Sequence, residues 1–168
     1  MDDVVEAVLQ QWRRLNPELD TAPMALIGRV NRCSALLQQA ADAPLTGVGL
    51  TRPEFDILGT LRRVDRDLTP GRLARETFAS GAAVTKRVRL LADRGLVERR
   101  QDARDRRVVH LSLTDEGRDL IDRLLPEQLA YERSLLSGIG EQRQGELSEG
   151  LSELLSVLEG RLGSLLPY

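Results

Sequence analysis

Residues Ser80–Gly117 read SGAAVTKRVRLLADRGLVERRQDARDRRVVHLSLTDEG, and the order of residue types in this stretch decides the fold. Ser80 can cap a helix and Gly95 can supply its C′ position, so the spacing predicts a helix up to Arg94. At about 100° per residue, Val84, Val88 and Leu91 fall within roughly 40° of one direction. Ala82, Thr85, Lys86 and Arg89 lie opposite. After Gly95, Leu96–Arg100 and Val108–Leu113 read as two short strands, with Val109, Leu111 and Leu113 as the inward row. The Arg- and Asp-rich segment Gln101–Arg107 is the hairpin between them. A helix, a stop and a two-stranded hairpin form the back half of a winged helix-turn-helix, a unit that reads DNA.

Charge supports the same reading. Residues 80–110 hold nine basic side chains against four acidic ones, a local net of +5, in a chain whose formal net charge is −2. Concentrated positive charge on one surface is what a polyanion partner requires, whatever the total. Upstream, Thr69-Pro70 starts a short helix over 70–77, and Phe78-Ala79-Ser80 is the turn of the helix-turn-helix. Thr51-Arg52-Pro53-Glu54 combines a capping box with Pro in the first turn, opening a helix that carries Phe55, Ile57, Leu58 and Leu61. The preceding APLTGVGL (43–50) is a Gly/Pro loop.

Both ends of the chain are apolar and helical. Val4, Val5, Val8, Leu9, Trp12 and Leu15 form a stripe that ends near Asn16-Pro17, and a second helix is expected over about 22–42. Beyond Gly117 a long helix carries Leu120, Ile121, Leu124 and Leu125 and meets Pro126. A last helix shows Leu147, Leu151, Leu154, Leu155, Leu158, Leu162 and Leu165 at near-heptad spacing. A winged unit can bury only one side of these helices, so a second copy is expected to cover the other. The expected organisation is therefore mainly α with a small β-wing: N-terminal helices for dimerisation and the ligand cleft over 1–48, a winged helix-turn-helix DNA-binding lobe over 49–117, and C-terminal dimerisation helices over 118–168.

The totals bound the class. The chain has 168 residues, 41% apolar and 30% charged, with aromatics at 3%, so it folds around Leu, Val, Ile and Ala. No run approaches the roughly 18 apolar residues of a membrane span, and the acidic N-terminus is not a signal peptide. With one cysteine the chain reads as cytoplasmic, with no membrane partner. One Cys and one His make no zinc site. The GVG and GIG tripeptides lack the strand and third Gly of a nucleotide loop, and no catalytic constellation is readable. No cofactor, metal or enzymatic activity is expected.

The candidate DNA contacts follow from position. Ser80, Ala82, Thr85, Lys86 and Arg89 form a face whose small N-terminal residues can approach base edges, with the cations reaching bases or phosphates. The bland account is a solvated basic face. Arg104, Arg106 and Arg107 occupy the wing, where an arginine can enter a minor groove. Asp105, two residues before Arg107, can orient its guanidinium. Arg87 falls on the flank of the core stripe. It is read either as an internal ion pair with Asp56 or Glu76, or as an anion-binding residue under the helix.

Four segments carry a resemblance: LTRPEFDILGTL (50–61), LTPGRLAR (68–75), VTKRVRLLADRGLVERR (84–100) and DRRVVHLSLTDEG (105–117). They resemble the MarR family of bacterial winged-helix regulators, above all in Asp105, Arg107, Leu113, Thr114 and Gly117. The resemblance implies a homodimer on double-stranded DNA, acting as a repressor whose affinity small molecules or oxidation change. The extra N-terminal helix with Trp12 resembles the branch that responds to urate and related organic anions. By position it implies Trp12, Asp56 and Arg87 as the pocket for an anionic or aromatic effector, although a Trp at helical spacing also reads as core. Cys33 admits a redox-responsive alternative, against the plainer reading of a buried thiol acting as a small hydrophobe. An alternative of another class is a winged-helix protein-interaction module that does not bind an operator.

Overall fold

A computed structural model describes residues 3–162, and side chains through Arg161. The Leu165 end of the C-terminal stripe lies outside the described residues, as does the side chain of Leu162. The chain divides into two compact units, Met1–Ala43 and Pro44–Tyr168.

In the first unit, α1 (Val4–Leu15) packs on α2 (Ala22–Ala40). Asp3 caps α1 by accepting from the Glu6 N–H at 2.8 Å. Arg29 of α2 bonds Asp3 at 2.8 Å, tying the two helices together. Pro23 sits in the first turn of α2, where its missing N–H costs nothing. α2 has no buried residue, and Cys33 on it is exposed. The expectation of a buried thiol is thereby corrected. One neighbouring helix in the unit leaves the rest of the α2 circumference open.

The second unit contains the main core. A 3-10 helix (Ala43–Val48) leads into α3 (Arg52–Val64), α4 (Pro70–Glu76) and α5 (Gly81–Asp93). The hairpin of β1 (Val97–Gln101) and β2 (Val109–Leu113) follows, then α6 (Asp115–Leu135) and α7 (Glu141–Leu162). The Gly/Pro loop expected over 43–50 is thus partly helical, and it buries Leu45 completely. Composition marked its turns but could not show that Leu45 closes the core.

Each helix of the lobe starts on a side-chain cap. Thr51 and Glu54 form the full capping box, with Glu54 Oε2 accepting from the Thr51 N–H at 2.8 Å. Thr69, Ser80 and Thr114 accept from the N–H groups of Arg72, Ala83 and Gly117. Each such cap is worth about 1 kcal/mol. Val84, Val88 and Leu91 of α5 are all buried, as their spacing predicts, against a core that includes Phe55, Ile57, Leu58, Leu73 and Ile121.

The strands pair antiparallel in the register Val97↔Leu113 through Gln101↔Val109, each starting one residue later than expected. Leu68 adds a bridge, exchanging both backbone hydrogen bonds with Leu111 at 3.0 and 2.8 Å. That bridge anchors the wing to the connection before α4. α6 runs unbroken through Pro126, and it begins where Gly117 lies directly against the Leu96 carbonyl.

Candidate nucleic-acid interface

Three features fix how α5 is presented. Its buried stripe rests on α3 and α4, Ser80 caps its start, and Gly95 ends it at φ +73°. The turn before it carries Phe78 in the left-handed region, at φ 52°. On the opposite side Ala82, Thr85, Lys86 and Arg89 are exposed together. The Thr85 hydroxyl donates to the Gly81 carbonyl at 2.8 Å. Its hydrogen is thereby used within the helix, leaving its lone pairs and methyl free to face outward.

The wing is more ordered than a run of charges suggests. Asp105 Oδ1 accepts from the Arg107 N–H at 3.0 Å and from Arg107 Nε at 3.1 Å, while Oδ2 accepts from Nη2 at 3.2 Å. Arg107 nevertheless remains 91% exposed. The Arg107 guanidinium beside Asp105 holds the Asp105 carboxyl below its ordinary value, and the Arg107 N–H adds to the effect. The side chains of Arg104 and Arg106 are also exposed. The structure therefore brings Ser80, Ala82, Thr85, Lys86 and Arg89 onto one exposed helix and Arg104–Arg107 onto the neighbouring hairpin.

Sequence reasoning missed the groups that brace these elements. Asp102, at the base of the wing, accepts from the Arg104 and Asp105 N–H groups and bonds His110. Arg100 bonds Asp67 at 2.6 Å. Arg94 reaches the carbonyls of Val48 and Gly49. An acid two residues before a turn amide was the one readable signal for Asp102; the others are long-range and have no spacing signature.

A cavity of about 170 Å³ opens between α3 and α5. Pro53, Ile57 and Val84 supply apolar wall, Thr77 a hydroxyl, and Asp56 and Arg87 the charges. The expected ion pair of Arg87 with Asp56 or Glu76 is not formed. Asp56 bonds Arg52 at 2.8 Å, and Glu76 pairs with Arg63 and Arg72. Both carboxylates are satisfied by arginines closer to them in the fold, so Arg87 faces the cavity without an ion pair among the described residues. Trp12 is half-exposed on α1, in the other unit. Among the described residues no group of His, Cys, Asp and Glu could hold a metal ion, and no helix is long and apolar enough to cross a membrane.

Residues 48–108 match the model of the MarR family. The regulator PecS of Dickeya dadantii (strain 3937) is 36% identical over 145 residues, covering 85% of this chain and 87% of PecS. Among solved structures, the organohalide-sensing regulator RdhR bound to 2,4-dichlorophenol superposes with a TM-score of 0.73 at 21% identity, over 82% of this chain and 81% of its own. The MepR–DNA complex of S. aureus superposes with a TM-score of 0.68 at 27% identity, over 77% and 94%.

Proposed function

We propose that this chain, which belongs to the MarR family of DNA-binding transcriptional regulators, is a homodimeric repressor released from a pseudo-palindromic operator by a small organic anion. The observation that carries the DNA reading is the shared exposure of the Ala82–Arg89 face and the braced wing arginines. Two copies of α5 enter major grooves about one helical turn apart. Ser80, Thr85, Lys86 and Arg89 contact bases and phosphates, Ala82 lets the helix approach closely, and Arg104, Arg106 and Arg107 follow the flanking backbone and minor groove.

The dimer is supported by apolar surface that the chain leaves open. No described residue of α7 is buried, and Leu147, Leu151, Leu155 and Leu158 are exposed along it. Val4, Val8 and Ile27 are exposed on α1 and α2. Such an area of aliphatic surface fits a partner of the same kind better than water. The exposed apolar face of α7 is therefore the proposed dimer surface of the C-terminal segment.

The effector reading rests on Arg87. A guanidinium without an ion pair, over apolar walls, fits a small anion with a flat hydrophobic body, and Asp56 can accept from an N–H or O–H of the same molecule. The test is a gel shift with the DNA flanking the chain's own gene, repeated with urate and salicylate as probes. Salt-sensitive, sequence-preferring binding that either anion relieves in the wild type and not in Arg87→Ala is the expected result. The absence of any sequence-preferring shift would favour a protein-interaction module instead.

A further inference from the structure

The wing arginines sit beyond the end of the strand ladder. β1 ends at Gln101 and β2 starts at Val109, and past them the backbone adds only Asp102 N–H to Val108 O and Val108 N–H to Asp105 O, at 3.0 and 2.9 Å. A loop held so lightly loses conformational entropy when an arginine on it is fixed in a groove. Something must order it beforehand if Arg107 is to be presented cheaply.

The structure shows what does so. One oxygen of Asp102 accepts from the Arg104 and Asp105 N–H groups at 2.8 and 3.0 Å, which bends the chain at the wing tip. The other oxygen meets His110 Nε2 at 2.9 Å. A carboxylate only accepts, so Nε2 carries the hydrogen. His110 stands on β2 opposite Arg100, and Arg100 is fixed in turn by Asp67. The bracing runs in one direction, from the strand pair through His110 and Asp102 to the backbone of Asp105, whose side chain grips Arg107. With the backbone N–H of Asp105 the largest influence and His110 the next, the Asp102 carboxyl is pulled down to about 2 and stays ionised.

We propose that His110 and Asp102 are positioning residues for DNA binding, a clasp at the base of the wing that sets the path of residues 103–107 and aims the Arg107 guanidinium. The proposal rests on the DNA-binding reading above, and it adds a residue on a strand that does not itself contact DNA. His110→Leu keeps the bulk and removes the donor, while His110→Gln restores an N–H at similar reach.

The test is a double-mutant cycle on operator DNA in the full-length protein. His110→Leu is expected to weaken binding at least about five-fold, and His110→Gln to return most of it. His110→Leu combined with Arg107→Ala is expected to lose clearly less than the sum of the two single losses, since His110 acts in part through Arg107. Unchanged binding by His110→Leu, or fully additive losses, would overturn the clasp. Amide hydrogen exchange at Arg104 and Asp105 is read in parallel without DNA, and His110→Leu should accelerate it. If the wild type binds no operator, the functional reading falls and the exchange arm still decides the clasp. Equal exchange in wild type and His110→Leu would reject it.

Discussion

Arg94, just past the end of α5, donates from Nη1 to the carbonyl of Gly49 at 2.7 Å, and from Nη2 to that of Val48 at 2.8 Å. One guanidinium therefore ties the DNA-facing helix to the entrance of α3, across 45 residues of chain. Arg94→Ala leaves two carbonyls to water and is expected to cost on the order of 1 kcal/mol, read as a lowered Tm. Arg94→Lys should recover only part, since an ammonium cannot span both oxygens in a planar fork. Equal stability of Arg94→Ala and wild type would contradict this role.

Gly117 gives the sharpest packing prediction. A Cβ there would overlap the Leu96 carbonyl oxygen, which is backbone and cannot rotate away. The same carbonyl accepts from the Thr114 N–H. Gly117→Ala must push the start of α6 off the Leu96 backbone just before β1, at a cost of about 1–3 kcal/mol. Thermal denaturation checks it, with Gly59→Ala as a control, whose added methyl would meet only the end of Ile121 at 4.0 Å.

Lys86 and Arg89 should contribute through charge. If each neutralises one phosphate, its replacement by Ala lowers the slope of log affinity against log salt by about 0.9. A substitution that weakens binding at every salt concentration equally would instead place that side chain on a base edge.

The exposed leucines of α7 should decide the oligomeric state. Leu151→Glu with Leu155→Glu places charges in the middle of the apolar stripe. Sedimentation should then report a monomer, with operator affinity lost because the two half-sites are no longer bound together. A dimer that survives both changes would place the interface elsewhere.

Acid should loosen the wing in a defined window. Asp102 has a folded pKa of about 2 against an ordinary 3.8, so its value is depressed by folding. Its contribution is complete above the ordinary value and is lost as pH falls through the folded one. Exchange protection at Arg104 and Asp105 should hold at pH 5 and collapse from about 3.8 down to about 2, and Asp102→Asn should remove that dependence.

What could be read from the residues alone was whatever repeats with a local period. Val84, Val88 and Leu91 announced their helix face because a helix returns every 3.6 residues. Thr51 and Glu54 announced their helix start because both halves of the box are three residues apart. The partners of Arg87, Arg94 and His110 were not readable in the same way. To which arginine Asp56 or Glu76 turns its carboxylate depends on how α3 and α4 pack, so the residues left two readings of Arg87 open, and the ion pair of the first is not formed. Cys33 was expected to be buried because free cysteine usually is, but its helix meets only one neighbour within its unit. Leu45 was hidden by the glycines and proline around it, which describe the path of the backbone and not the depth of one side chain.

Lys86 is the chain's one lysine, and it stands on the exposed face of α5. Every other fixed cation is an arginine, which amine-directed reagents leave alone. Apart from the chain's α-amino group, acylation therefore has a single address, and that address is on the helix proposed to enter the groove. A chemical footprint of this protein needs no engineered label: the mass of one modified peptide, with and without DNA, reports whether the recognition helix is covered.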